Sequence, residues 1–206
     1  MEPNSKQLNS SEILQEFIDA NAILKGHFIL SSGLHSDTYM QCARVLMDPR
    51  RAQKLCQILA QKIFEKLGND FADIVLSPAM GGVVVGYELA RQLNLDSIFC
   101  ERVNGNFELR RGFEILKNSR ILVVEDVITT GKSSLETFKI AEQYGAKIVA
   151  EACLVDRSSD ENLSEKLQVP VFSLLKIQVN SFDENNIPSE LKNIPAIKPG
   201  SRYIKN

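Results

Sequence analysis

Residues Ile121-Leu122-Val123-Val124-Glu125-Asp126-Val127-Ile128-Thr129-Thr130-Gly131-Lys132-Ser133-Ser134 decide how this chain is read. Four consecutive aliphatic residues form the strongest buried-strand pattern in the sequence. The run ends in two adjacent acids, passes through a Thr-Thr-Gly turn and enters a helical segment over roughly 133–144, which Gly145 stops. Gly131-Lys132-Ser133 matches the end of a P-loop, but that pattern requires glycine at position 126, where this chain has Asp126. An acid beside a triphosphate cradle repels it, so a nucleotide triphosphatase is excluded. The segment still makes a site for one phosphate. Thr129, Thr130, Gly131, Lys132 and Ser133 stand where a loop enters a helix, with backbone N–H groups and the helix dipole turned to an anion. Strand alternation sends Glu125 and Asp126 to opposite sides. Carboxylates next to a phosphate pocket suit the hydroxyls of a sugar, which donate hydrogen bonds.

Working outward, Ile74-Val75-Leu76 is a second short apolar run, ending in Ser77-Pro78-Ala79-Met80-Gly81-Gly82 before a helix that continues to about Leu93. Ser97–Cys100, 148–155 and Val169–Lys176 read as further strands, and 101–113 as a polar hairpin or mobile loop with Gly105 and Gly112. Upstream, Asn9 with Glu12 is a capping-box start for a helix over 9–24, with Ile13, Leu14, Phe17, Ile18 and Leu24 as its apolar stripe. Residues 27–32 and 38–45 read as extended around Gly33. Asp48-Pro49 opens a helix that Gly68 closes. Alternating strands and helices imply an α/β chain with a mostly parallel central sheet flanked by helices. Such sheets bind ligands beyond the carboxyl ends of their strands, where 77–82 and 125–133 stand. Residues 1–206 read as one domain: a small N-terminal extension over about 1–45, a core over about 46–180 and a tail over 181–206 with little periodicity.

With Lys+Arg 24 against Asp+Glu 26, the net charge of −2 argues against a nucleic-acid binder acting through its global field. No apolar run reaches the length of a membrane span, and residues 1–8 lack the pattern of a signal peptide. The four cysteines are scattered singly and read as buried thiols of a reducing compartment, so a cytoplasmic location is expected. His27 and His35 read as packing or surface residues.

The segment Val123–Ser134 resembles the phosphoribosyl-pyrophosphate (PRPP) motif of type I phosphoribosyltransferases, and Glu-Asp-Val-Ile-Thr-Thr-Gly resembles the orotate phosphoribosyltransferases in particular. Phe28–Tyr39 is similar to that family's orotate-binding hood, Ser77–Gly82 stands in the place of its pyrophosphate loop, and Asp156-Arg157 falls where it has an orotate-contacting arginine. The resemblance covers roughly residues 10–180, with four separated segments in the family's order. It implies the type I phosphoribosyltransferase fold with a hood, and Mg²⁺-dependent transfer of the 5-phosphoribosyl group from PRPP to orotate. The products are orotidine 5-phosphate and pyrophosphate, a step of pyrimidine biosynthesis, made by a homodimer with shared sites. Residue by residue it implies that Glu125 and Asp126 hold the ribose hydroxyls, with Val127 and Ile128 beside them. Thr129, Thr130, Gly131, Lys132 and Ser133 take the 5-phosphate. Thr129, Arg157 and the backbone of Tyr39 and Met40 meet orotate. Ala79, Met80, Gly81 and Gly82 form the pyrophosphate loop. Arg102 and Asp126 are the catalytic pair, and the metal is carried mainly by PRPP.

The chain also departs from this family. Members commonly carry lysines and a histidine in the catalytic loop, whereas Glu101–Arg111 holds neither. Met80 and Ser31 stand where lysines are frequent. Arg102, Arg110 and Arg111 are the cations available instead, and arginine is a poor proton donor. Two alternatives follow: a phosphoribosyltransferase for another base, and a PRPP-sensing regulator that keeps the fold without catalysis.

Overall fold

A computed structural model describes residues 8–30, 33–159 and 162–199; Ser31 and Ser32 of the hood segment lie outside the described residues. The chain begins with α1 (Ser10–Asp19), β1 (Ile23–Ile29), β2 (His35–Met40), α2 (Cys42–Leu46) and α3 (Pro49–Leu67). It continues through β3 (Ile74–Pro78), α4 (Gly81–Leu93), β4 (Asp96–Val103), β5 (Asn106–Leu109) and β6 (Arg120–Ile128). Then come α5 (Lys132–Gln143), β7 (Lys147–Asp156), α6 (Leu163–Leu167), β8 (Val171–Lys176), β9 (Ser181–Phe182) and α7 (Ser189–Lys192).

The helix ends follow their local chemistry. Asn9 Oδ1 accepts from Ser11 N and Glu12 N at 3.0 Å, and Glu12 returns the bond to Asn9 N at 2.9 Å. Asp48 caps α3 by accepting from Arg50 N, with Pro49 behind it and Gly68 at φ 79 ending the helix. Helix α1 is shorter than its apolar periodicity implies. It breaks at Asn21 (φ 50), and Leu24 belongs to β1 instead. Residues 42–46 are helical, not extended, because Cys42, Val45 and Leu46 at helical spacing are buried together.

The central sheet has the order β5-β4-β3-β6-β7-β8, parallel except for β5, which returns beside β4 through the Asn104-Gly105 turn. Both turn residues have positive φ, the backbone that a tight hairpin needs. Strand β6 is paired on both sides and alternates. Leu122 and Val124 pack with α3 and α4, while Ile121 and Val123 pack with α5. Each fully buried leucine or isoleucine of these two cores contributes about 1.5–3 kcal/mol relative to exposure. The chain runs from β3 to β4 on one side and comes back to β6 on the other. The order therefore reverses between β3 and β6, which opens a crevice at their carboxyl ends.

A second sheet, β1-β2-β9, sits apart from the first. Its third strand comes from the tail. Ser181 and Phe182 pair with β2, and Ile29 N donates to Ile197 O while Ile197 N donates to His27 O. The tail's regular structure is short and its partners lie more than 140 residues away in sequence, so no local pattern announces it.

Candidate active site

The two segments at the reversal point are the ones the sequence singles out. Strand β6 does not stop before its acids: the ladder to β7 continues through Glu125↔Cys153 to Ile128↔Asp156. Glu125 and Asp126 are thus held inside the sheet, on opposite sides. Glu125 is buried and turned to α5, where Ser134 Oγ donates to its Oε1 at 3.0 Å. Asp126 is half-buried and turned to α4. Burial pushes both carboxyls above their ordinary range; Glu151 adds to this at Glu125, and backbone N–H groups oppose it at Asp126.

Gly81 opens α4 directly against Asp126. A Cβ there would lie 2.6 Å from Asp126 Oδ1, and one at Gly82 would lie 2.9 Å from the carbonyl oxygen of Val124. Only glycines let the 77–82 loop approach β6 this closely. Gly81→Ala is accordingly expected to raise the KM for the substrate bound at Asp126 by about tenfold or more, from a displacement costing roughly 1–3 kcal/mol. Steady-state kinetics beside a thermal melt check this: a lowered melting temperature with unchanged KM contradicts it.

Beyond Ile128 the chain turns through exposed Thr129 and Thr130 to Gly131, whose φ of 72 caps α5. The loop and the first turn of α5 enclose a small polar pocket lined by Glu125, Val127 and 128–134. The first-turn N–H groups and the positive end of a 12-residue helix face it, an arrangement suited to one phosphate. A larger open cleft, lined by Lys62, Glu65, Lys66 and Phe172, lies beside the start of β8 and shares none of these groups.

On the Asp126 side the hood meets the sheet. Tyr39 packs on Phe28 with ring centroids 5.7 Å apart, Met40 is buried, and Cys42 Sγ lies 3.9 Å from Asp126 O. The charges of Asp126 and Arg157 both act on Tyr39 and Cys42, so these four side chains converge. Arg157 follows β7, and its N donates to Ile128 O at 2.8 Å. Asp156 Oδ1 fixes the turn by accepting from Ser158 N at 2.8 Å and Ser158 Oγ at 2.6 Å. Burial lowers the guanidinium's pKa, and Arg157 Nε is buried without a hydrogen-bond partner. A desolvated guanidinium of this kind is completed by an incoming carboxylate.

Arg102 ends up on the α5 side. Its guanidinium donates to Gly105 O at 2.7 Å, stacks 4.1 Å from the Phe107 ring and pairs with Glu136 of α5, which also meets Lys132. Arg111 pairs with Glu101 at 2.8 Å, and Arg110 is exposed. Two of the three arginines offered for the missing lysines therefore rest on acids. Glu136 escapes the sequence reading although its i,i+4 spacing from Lys132 is a usable signal. Glu151, a lone acid in the apolar run of β7, escapes it too. The histidines form a pair: His27 Nε2 lies 2.6 Å from His35 Nδ1, and His27 Nδ1 reaches Ile194 O at 2.8 Å. They serve the junction of hood and tail.

Comparison with known proteins identifies the family and the fold. Residues 45–191 match the phosphoribosyl transferase domain. An orotate phosphoribosyltransferase of Maricaulis maris is 48% identical over 197 residues, which cover 96% of this chain and 100% of that protein. One from Rhizorhabdus wittichii is 49% identical over 195 residues, covering 95% and 97%. The crystal structure of orotate phosphoribosyltransferase from Aeropyrum pernix superposes with a TM-score of 0.67 at 24% identity, over 80% of this chain and 93% of that one, which shows the shared fold. Through full-length identity near one half, the same domain and the same architecture, the chain belongs to the orotate phosphoribosyltransferase family.

Proposed function

We infer that this chain transfers the 5-phosphoribosyl group of PRPP to orotate, releasing pyrophosphate. The observation that carries the reading is the convergence at one crevice of three recognition elements: a phosphate pocket at α5, carboxylates at Glu125 and Asp126, and the unpartnered guanidinium of Arg157 under the hood. Thr129 to Ser133 hold the 5-phosphate. Glu125 and Asp126 accept from the ribose hydroxyls and offset positive charge as the ribosyl centre loses its leaving group. Arg157 takes the orotate carboxylate in a planar fork, beside Thr129 and the backbone of Tyr39 and Met40. Arg102 exchanges Glu136 for the leaving diphosphate, trading one anionic partner for another. The 77–82 backbone, kept slim by Gly81 and Gly82, lies along the diphosphate.

Among the described residues no three His, Cys, Asp or Glu side chains cluster as a metal cage. The hard carboxylate of Asp126 fits a divalent ion that is otherwise held by substrate oxygens. Mg²⁺ bound in this way would supply charge neutralisation to the diphosphate. Kinetics with orotate, uracil, adenine and hypoxanthine as competing acceptors test the base. Preference for orotate supports Arg157 as the selecting group, and preference for another base overturns it.

The working unit is proposed to be a homodimer with shared sites. Met80, which caps α4, and Val84 and Tyr87 on it follow i, i+4, i+7 spacing and are 77%, 51% and 67% exposed, and Met47, the C-cap of the neighbouring α2, is 78% exposed. A contiguous apolar stripe of this kind calls for cover, and a second copy seated there lies beside the 77–82 loop. Tyr87→Glu is expected to move the sedimenting species from dimer to monomer; an unaltered dimer places the interface elsewhere. No helix among the described residues is long and apolar enough to cross a membrane, and Cys42, Cys56, Cys100 and Cys153 are buried free thiols, which supports the cytoplasm as the compartment. One domain, with hood and core as above, is the proposed organisation.

A further inference from the structure

Arg102 stands on β4 directly opposite Phe107 of β5. The Phe107 ring is buried, and the guanidinium lies 4.1 Å from its centroid and donates to Gly105 O at 2.7 Å. Those two contacts come from Arg102's own hairpin. The third comes from another element: Glu136 of α5 accepts from Arg102 Nη2 through Oε2. The other carboxylate oxygen, Oε1, lies 3.9 Å from Lys132 Nζ, one helical turn earlier. One acid thus divides its two oxygens between a cation of the hairpin and the cation that opens α5. Between Asp126 and Glu136 the chain has no other acid, so Glu136 is the first negative charge beyond the phosphate loop. The charge of Arg102 also reaches Glu125, which lines that pocket. The Arg102 and Glu136 side chains are 31% and 29% exposed, so an anion arriving from solvent can reach the pair.

We propose that Glu136 is an internal competitor of the diphosphate: it occupies Arg102, and more weakly Lys132, until a diphosphate displaces it, and by returning to Arg102 it helps pyrophosphate leave. A carboxylate offers a guanidinium the same oxygen acceptors that a phosphoryl group does, so the two anions contend for one partner. The diphosphate gains Arg102 only by breaking the Glu136 pair, and its affinity is lowered by what that pair is worth. A part-exposed pair of this kind is weak, which sets the penalty at about two- to fivefold. The contest is therefore one that a multiply charged ligand wins and that still limits how tightly the product is held. Glu136 acts through Arg102 and is a positioning residue.

This rests on the reading of Arg102 as a ligand of the diphosphate, and four full-length proteins separate the two: wild type, Glu136→Gln, Arg102→Ala and the double variant. The primary readout is calorimetric binding of magnesium pyrophosphate, which requires no turnover. Glu136→Gln, which keeps the side chain's shape and loses its charge, should bind pyrophosphate about two- to fivefold more tightly. Its KM for PRPP and its inhibition constant for pyrophosphate should fall by the same factor, while the KM for orotate stays level. Arg102→Ala should bind pyrophosphate more weakly, and adding Glu136→Gln to it should recover almost nothing, because the contested partner is gone. Should Glu136→Gln not fold, as judged by its thermal melt, Glu136→Ala is expected to show the same gain and decides in its place. With Arg102→Ala impaired, a Glu136→Gln protein that binds pyrophosphate as the wild type does, or more weakly, overturns the competitor role alone; weaker binding would mean that Glu136 aims Arg102 at the ligand. An equal gain in the Arg102→Ala background also overturns it, as an effect of net charge without displacement. An Arg102→Ala protein with wild-type affinity removes Arg102 from the diphosphate, and the competitor role falls with that reading.

Discussion

Asp126→Asn should lower kcat/KM for PRPP by about 10²- to 10³-fold, the scale on which removal of one preorganised electrostatic group at a reacting centre is felt. The substitution keeps the side chain's shape but replaces one acceptor oxygen with a donor. The new N–H₂ then faces ribose hydroxyls that themselves donate, and the negative charge beside the ribosyl centre is gone. Folding is expected to survive, with a melting temperature equal to or above that of the wild type. Burial already disfavours the Asp126 charge, and the side chain has no ion pair to lose. The raised pKa of Asp126 also predicts that the acid limb of kcat/KM lies above the usual aspartate range. The group must be ionised to act, so activity falls as pH drops through its pKa. Stopped-assay kinetics with a parallel melt check both points. Unchanged kinetics would remove Asp126 from the site.

Arg157→Ala is the second large effect. The backbone at Arg157 is fixed by the Arg157 N to Ile128 O bond and the Asp156–Ser158 turn, and the side chain's Nε is buried with no partner. Truncating one member of a buried, hydrogen-bonded charge pair costs about 2–5 kcal/mol, or roughly 30- to 4,000-fold in kcat/KM for orotate. The loss should fall on orotate and leave the KM for PRPP nearly unmoved. Arg157→Lys recovers little, because an ammonium cannot reproduce the planar two-donor fork. A defect confined to PRPP would show that Arg157 serves the phosphoribosyl half instead.

What sequence reasoning reached here was governed by range. The β6 run, the capped start of α3 and the turn into α5 are written in consecutive residues, and period-2 alternation alone foresees that Glu125 and Asp126 part company. That Gly81 meets Asp126 is not local; it follows from β3 lying beside β6, a pairing across more than 40 residues. The hood is the harder case. β9 has two residues, and its place beside β2 depends on long-range pairing that no periodicity encodes. Residues 42–46 satisfy strand and helix patterns equally, and burial beside α3 and α4 decides for the helix. The lysine-free hairpin is legible as a departure, but its consequence, Arg102 resting on Glu136 and Arg111 on Glu101, needs the three-dimensional arrangement.

The direct measurement is turnover by the purified chain supplied with orotate, PRPP and Mg²⁺, following orotate absorbance and released pyrophosphate together. Loss of orotate absorbance matched mole for mole by pyrophosphate, and abolished when PRPP is withheld, is the expected result. PRPP bound without turnover of orotate would contradict it and make the chain a PRPP sensor built on the same fold.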